Sequence, residues 1–147
     1  MNKFEWVTDS LIKDLDGKLP ARSTKHSAGY DFFAPFDFII DPHSTTKLHF
    51  TDVKVKLDSD SVLLLFPRSS LGCKGIMLAN TVGVIDADYY GNPKNDGNIG
   101  FMLVNKSDEP VEIKKGDKFM QGIILKYGIT DDDNVNTERE GGFGSTN

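Results

Sequence analysis

Four polar segments interrupt the apolar runs of this chain, and a fifth closes it. They are SAGYD (27–31), PRSSLGCKG (67–75), NTVGVIDADYYG (80–91), GDKFMQGIIL (116–125) and the terminal EREGGFGSTN (138–147). In the third, Asp86 follows Val84 and Ile85, so its carboxylate stands at the end of an apolar run. A carboxylate there either starts a turn or serves as a positioned general base. Asp88 lies two residues on and shares its face if the chain is extended, a pairing that could also hold a metal. No His or Cys cluster completes such a site. His26, His43 and His49 are scattered and read as surface residues. In the second segment Arg68, Ser69, Ser70 and Lys74 stand beside two glycines. A planar guanidinium, hydroxyls and free backbone N–H groups suit a phosphate cradle, although a solvated loop would look the same. It is not a Walker loop, because the G-x-x-x-x-G-K-[ST] spacing is absent. SAGYD alone reads as a tight glycine turn leading into a strand. Gln121 breaks an apolar run, where an amide satisfies a backbone neighbour or faces a ligand. The tail sets Arg139, Phe143, Ser145 and Thr146 among glycines. That mixture suits a flexible arm closing over something flat, polar and anionic.

The elements that must position these groups read as strands. Short runs rich in Phe, Val, Ile and Leu occupy 30–40, 45–57, 61–67, 75–85, 98–105 and 118–128, separated by Gly, Pro, Asn and Asp clusters. Val53, Val55 and Leu57 alternate with polar residues, while Leu48 and Phe50 alternate on the opposite parity, which predicts a bulge near Thr51–Asp52. The only helical spacing is Phe4, Val7, Leu11 and Leu15, with few capping signals, and that segment is left open. Strands of this kind indicate an all-β barrel or sandwich.

A length of 147 residues fits one domain able to bury a core. The net charge of −5 argues against a duplex-binding surface, which needs a basic stripe, but leaves room for a small anion held by local cations. One cysteine, Cys73, rules out an intrachain disulfide framework and fits a reducing compartment. No stretch approaches the ~18 consecutive apolar residues of a spanning helix, and no signal-peptide pattern opens the chain, so a cytoplasmic protein off the membrane is expected.

Taken in order, AGYD, PRSSLG, GVIDADYYG, GDKFMQ and GGFGST resemble the five motifs of the trimeric dUTPase family, over residues 28–146. The resemblance implies a distorted jelly-roll-like β-barrel over 1–130, a flexible arm over 131–147 that closes the site, and a homotrimer with shared sites. It implies hydrolysis of dUTP to dUMP and pyrophosphate with Mg²⁺, which limits uracil in DNA and supplies dUMP for thymidylate. Asp86 then resembles the catalytic base that deprotonates the attacking water. Tyr89 resembles the ring packed under the deoxyribose. Asn80, Gly83, Val84, Ile85 and Gly100 resemble the hairpin that reads uracil through its main chain. Arg68, Ser69, Ser70 and Gln121 resemble the phosphate ligands, and Asp31 the carboxylate that reaches magnesium through water. Phe143 resembles the ring stacked on uracil, and Arg139, Gly144, Ser145 and Thr146 the phosphate-binding tail. Three features depart from the pattern: an insertion NPKNDG (92–97) at the hairpin tip, one residue fewer between Arg139 and Phe143, and an end at Asn147 without the usual final glycine.

Two other functions compete. A dCTP deaminase shares the fold but resembles a site with a glutamate near the hairpin, and no glutamate lies between Glu5 and Glu109. A nucleotide-binding barrel that regulates a protein partner would use the NPKNDG tip and the acidic DDDN arm as surfaces, and both also read as solvated loops.

Overall fold

The structure, a computed structural model, describes residues 1–144 and 146. Its strands are β1 (Lys3–Trp6), β2 (Tyr30–Phe33), β3 (Phe38–Ile40), β4 (Ser44–Thr45), β5 (His49–Phe50), β6 (Val53–Lys56), β7 (Ser61–Pro67), β8 (Ile76–Leu78), β9 (Gly83–Asp86), β10 (Gly100–Phe101), β11 (Leu103–Asn105), β12 (Val111–Ile113) and β13 (Lys118–Lys126). One short helix, α1 (Ser69–Gly72), follows β7. The protein is all-β, as expected, and folds as a distorted jelly-roll-like barrel of small antiparallel sheets.

The long runs are more broken than their composition suggests. The run 30–40 is two strands, because Pro35 has no N–H to give a ladder. The run 45–57 is three strands, and the parity change falls where expected. Thr51 donates its N–H to the Ile99 carbonyl at 2.9 Å, Ile99 donates to Val53 O at 2.9 Å, and Asp52 between them has φ 61°. Two residues thus oppose one, as a bulge requires. The segment 4–15 is not a helix. Phe4 lies on β1 opposite Val55, and only Ile12–Leu15 form a single 3-10 turn. Leu11 and Leu15 are exposed, so no apolar face exists to hold a helix that short. β12 escaped the sequence pattern because it is only three residues long.

The sheet that organises the site has the order β2-β13-β7-β9. β13 runs through its middle, pairing Gln121 with Asp31 on one side and with Phe66 on the other. β9 is the outer strand, paired to β7 with Val62 opposite Asp86 and Leu65 opposite Gly83. Phe32, Leu63, Ile99, Leu103, Phe119 and Met120 fill the core and are almost wholly buried. Each contributes roughly 1.5–3 kcal/mol of transfer free energy.

His49 corrects the surface reading given to the three histidines. It is half-buried among Phe36, Phe38 and Phe101, with ring centroids 5.0, 5.4 and 5.5 Å away. Burial, aided by nearby Lys47, holds its imidazole below the ordinary value. His43 is exposed and meets Asp108 at 2.6 Å. Among the described residues, no helix is long and apolar enough to cross a membrane.

Candidate active site

Asp86 ends β9, where the backbone leaves the extended conformation for a 3-10 turn over Ala87–Tyr89. The chain is therefore not extended between Asp86 and Asp88, yet the two carboxylates still converge. Arg139 joins them, with Nη2 donating to Asp86 Oδ2 at 2.6 Å and Nε to Asp88 Oδ1 at 2.7 Å. The hydrogen bond to Asp88 and the charges of both carboxylates raise the guanidinium further above its ordinary value. The tail of the chain thus rests on its own β9 turn.

A cavity of about 230 Å³ opens beside this ion cluster. Asn80, Gly83, Val84, Ile85, Asp86, Tyr89, Gly100, Arg139, Gly142 and Phe143 line it, over an apolar floor of Leu65, Leu78, Phe101 and Met120. One wall is the outer edge of β9, whose peptide groups have no strand partner among the described residues. Tyr89 is buried, and burial pushes its phenol above the ordinary value despite offsets from Asn95 and Arg139. Gly142 lies against the Tyr89 ring so closely that a Cβ there would stand 2.7 Å from Tyr89 Cε1. A tail with a side chain at that position could not seat. Phe143 meets Phe50 edge-on at 6.3 Å and remains exposed on its other face.

The expected hairpin is not one. β9 pairs with β7, and β10 pairs with β5, so the two strands flank the cavity without bonding each other. The 3-10 turn and the insertion carry the chain away between them. Gly100 keeps its place on the cavity wall.

The remaining predicted residues gather elsewhere. β13 brings Gln121 and Asp31 opposite each other, and β7 delivers Arg68 at its end. Asp31 is buried, accepts a 2.6 Å bond from Ser23 Oγ, and lies 3.3 Å from Arg68 Nε and 3.6 Å from Lys118 Nζ. Gln121 Nε2 donates to Pro67 O at 3.3 Å. Ser69 and Ser70 are exposed in the first turn of α1. Ser23 and Lys118 carried no sequence signal, since one sits in a polar loop and the other at a strand's start. Gly144 and Thr146 are exposed and do not line the cavity, and Ser145 lies outside the described residues.

The two groups stand at opposite ends of β7. Arg68 is six residues beyond Val62, the partner of Asp86, which at ~3.3 Å per residue is roughly 20 Å along the strand. Within one chain, the carboxylates and the phosphate-type cluster do not share a site.

Comparison with known proteins comes down on one family. The family model "dUTPase" matches residues 16–147. A deoxyuridine 5'-triphosphate nucleotidohydrolase of Lactococcus lactis is 42% identical over 146 residues, covering 97% of this chain and 95% of its own length. The mouse protein of that name is 36% identical over 86% of this chain and 76% of its own. A crystal structure of dUTPase from Streptococcus mutans superposes with a TM-score of 0.76 at 39% identity, covering 87% of this chain and 98% of that one.

Proposed function

This chain belongs to the dUTPase family, and on that premise we propose how its residues divide the hydrolysis of dUTP to dUMP and pyrophosphate. The observation that carries the assignment is the cavity at the free edge of β9, with Asp86 at one end and the Tyr89 ring in its wall. Peptide groups of Gly83, Val84 and Ile85 on an unpaired edge can meet the donor and acceptor pattern of uracil. Gly100 closes the opposite side. A methyl at C5 of the base would collide with such a wall, and the N4 amino group of cytosine would face the wrong partner, so rejection is steep. The Tyr89 ring lies under the sugar and leaves no room for a 2′-hydroxyl. Asp86, half-exposed at the cavity mouth, takes a proton from the water that attacks the α-phosphate in line.

Arg68, Ser69, Ser70 and Gln121 hold the phosphates. At roughly 20 Å along β7 from Asp86, Arg68 of the same chain cannot grip a nucleotide whose α-phosphate lies at Asp86. The arrangement supports a homotrimer in which one subunit supplies the β9 cavity and a neighbour the phosphate cluster. Residues 131–147 form the closing arm, with Phe143 on the base and Arg139 turning from the carboxylates to the phosphates. Gly144 and Thr146 follow Arg139 onto the phosphates as the arm closes.

Magnesium fits the cluster around Asp31 only as a companion of the nucleotide. No group of three potential ligands occurs among the described residues, and Asp31 is already neutralised by Arg68 and Lys118. A triphosphate that engages those cations leaves the Asp31 carboxylate to accept a water of the ion, as suits an ion that keeps several waters. When bound, the metal supplies charge stabilisation on the leaving pyrophosphate. The reaction and the exposed free thiol of Cys73 support a cytoplasmic location.

The reading is tested by pyrophosphate release from dUTP, dTTP, dCTP and UTP side by side, with ammonia measured for dCTP. Turnover should be confined to dUTP. Ammonia from dCTP would support the deaminase instead, but no glutamate lines the cavity among the described residues. The shared site has its own test. Asp86→Asn and Arg68→Ala variants, each inactive, are unfolded together, refolded and assayed. Random assembly into symmetric trimers should restore roughly a quarter of wild-type turnover, whereas a site built within one chain would recover nothing.

A further inference from the structure

We propose, given the place assigned above to the Tyr89 ring under the sugar, that the insertion 92–97 is a brace for that ring and that Asn95 is a positioning residue for discrimination between deoxyribose and ribose. Asn95 Nδ2 donates to Tyr89 Oη at 2.7 Å, and Tyr89 Oη donates to the Asn98 carbonyl at 2.9 Å. The amide's orientation is fixed independently, because Asn95 Oδ1 accepts the Gly97 N–H at 3.1 Å. The phenol is therefore held at two points on its far end while the ring faces the cavity.

The brace is itself anchored. Asp96 Oδ2 accepts from Thr8 N at 2.9 Å, Thr8 Oγ1 at 3.0 Å and Lys54 Nζ at 2.9 Å. Lys54 is buried beneath it, so this ion pair carries a desolvated charge that has to stay matched. Asn98 exchanges two hydrogen bonds with Asp52, at 2.8 and 3.0 Å. Gly97 has φ +81°, and a Cβ there would stand 2.8 Å from the Tyr89 carbonyl oxygen. The loop thus hugs the backbone of the residue whose ring it ties. A merely solvated insertion would make none of these bonds. Rejecting one hydroxyl by steric contact needs a wall that does not yield, since a ring that slides by a fraction of an ångström relieves the clash.

The test uses the full-length protein and kcat/KM for dUTP and UTP. The variants are Asn95→Ala, Asn95→Asp, Tyr89→Ala and Lys94→Ala, the last an exposed residue of the same loop. Both Asn95 variants should narrow the dUTP-to-UTP ratio by about 3- to 10-fold, the worth of one hydrogen bond, and Lys94→Ala should leave it unchanged. Alkaline absorbance titration, with Tyr89→Phe used to identify the Tyr89 signal, should show the phenol pushed further up in Asn95→Ala. If Tyr89→Ala narrows the ratio while both Asn95 variants keep the wild-type value, the brace is overturned and the sugar assignment stands. If Tyr89→Ala also leaves the ratio unchanged, the sugar assignment fails and the brace falls with it. An unshifted titration in Asn95→Ala overturns the contact itself.

Discussion

Asp86→Asn should lower kcat for dUTP by about 10²–10⁴, the usual worth of a positioned base, while nucleotide affinity stays near wild type. Asn preserves the size of the side chain and its place at the end of β9, so the cavity keeps its shape. What disappears is the proton acceptor. The ion cluster supplies an internal control, because Arg139 bonds Asp88 as well as Asp86. Asp88→Asn removes an anchor of equal geometry without removing the base, and should cost far less. Single-turnover rates alongside dUTP binding decide the matter. Near-normal turnover in Asp86→Asn, or equal losses in the two variants, would remove Asp86 from its role.

Truncation after Asn136 should abolish most turnover and leave the folded protein almost as stable as before. The last strand ends at Lys126, and residues 127–138 are exposed, so little core is lost. The deleted segment holds Arg139, Gly142 and Phe143, three of the groups that line the cavity. Loss of a preorganised cation at the reacting phosphates costs on the order of 10²–10³ in kcat, and the open mouth readmits water. Phe143→Ala should be milder, weakening nucleotide binding by the ~1–3 kcal/mol typical of stacking on a base. Thermal melting and dUTP hydrolysis, measured on truncated and full-length protein, check both halves. Equal hydrolysis would make the tail a bystander.

The sequence made some parts of this molecule plain and hid others for identifiable reasons. Asp86 was visible because an apolar run that ends on a carboxylate is a local pattern, and the bulge at Thr51–Asp52 was visible as a change of parity. The role of β1 was not. Phe4 follows a helical spacing, but its partner Val55 lies far along the chain, and no local rule announces such a pairing. His49 looked like a surface residue because the three phenylalanines around it come from distant segments. In the sequence Asn95 is only part of an insertion, since its meaning depends on Tyr89 Oη, a group that sequence alone does not aim. The same limit applies to the two clusters. Most of their residues are legible in the sequence, Ser23 and Lys118 excepted, yet their distribution over the two ends of β7 follows from strand register.

That register has a consequence for how mutations combine. Residues at the two ends of β7 are well beyond the ~7–10 Å over which substitutions in one chain influence each other's folding cost. Losses of stability from changes at Arg68 and at Asp86 should therefore sum. Losses of rate should not, because groups that act on one reacting phosphate fail as a unit. Under the proposed sharing of sites between subunits, a mixture of chains damaged at Arg68 with chains damaged at Asp86 should retain activity that a population of doubly damaged chains lacks.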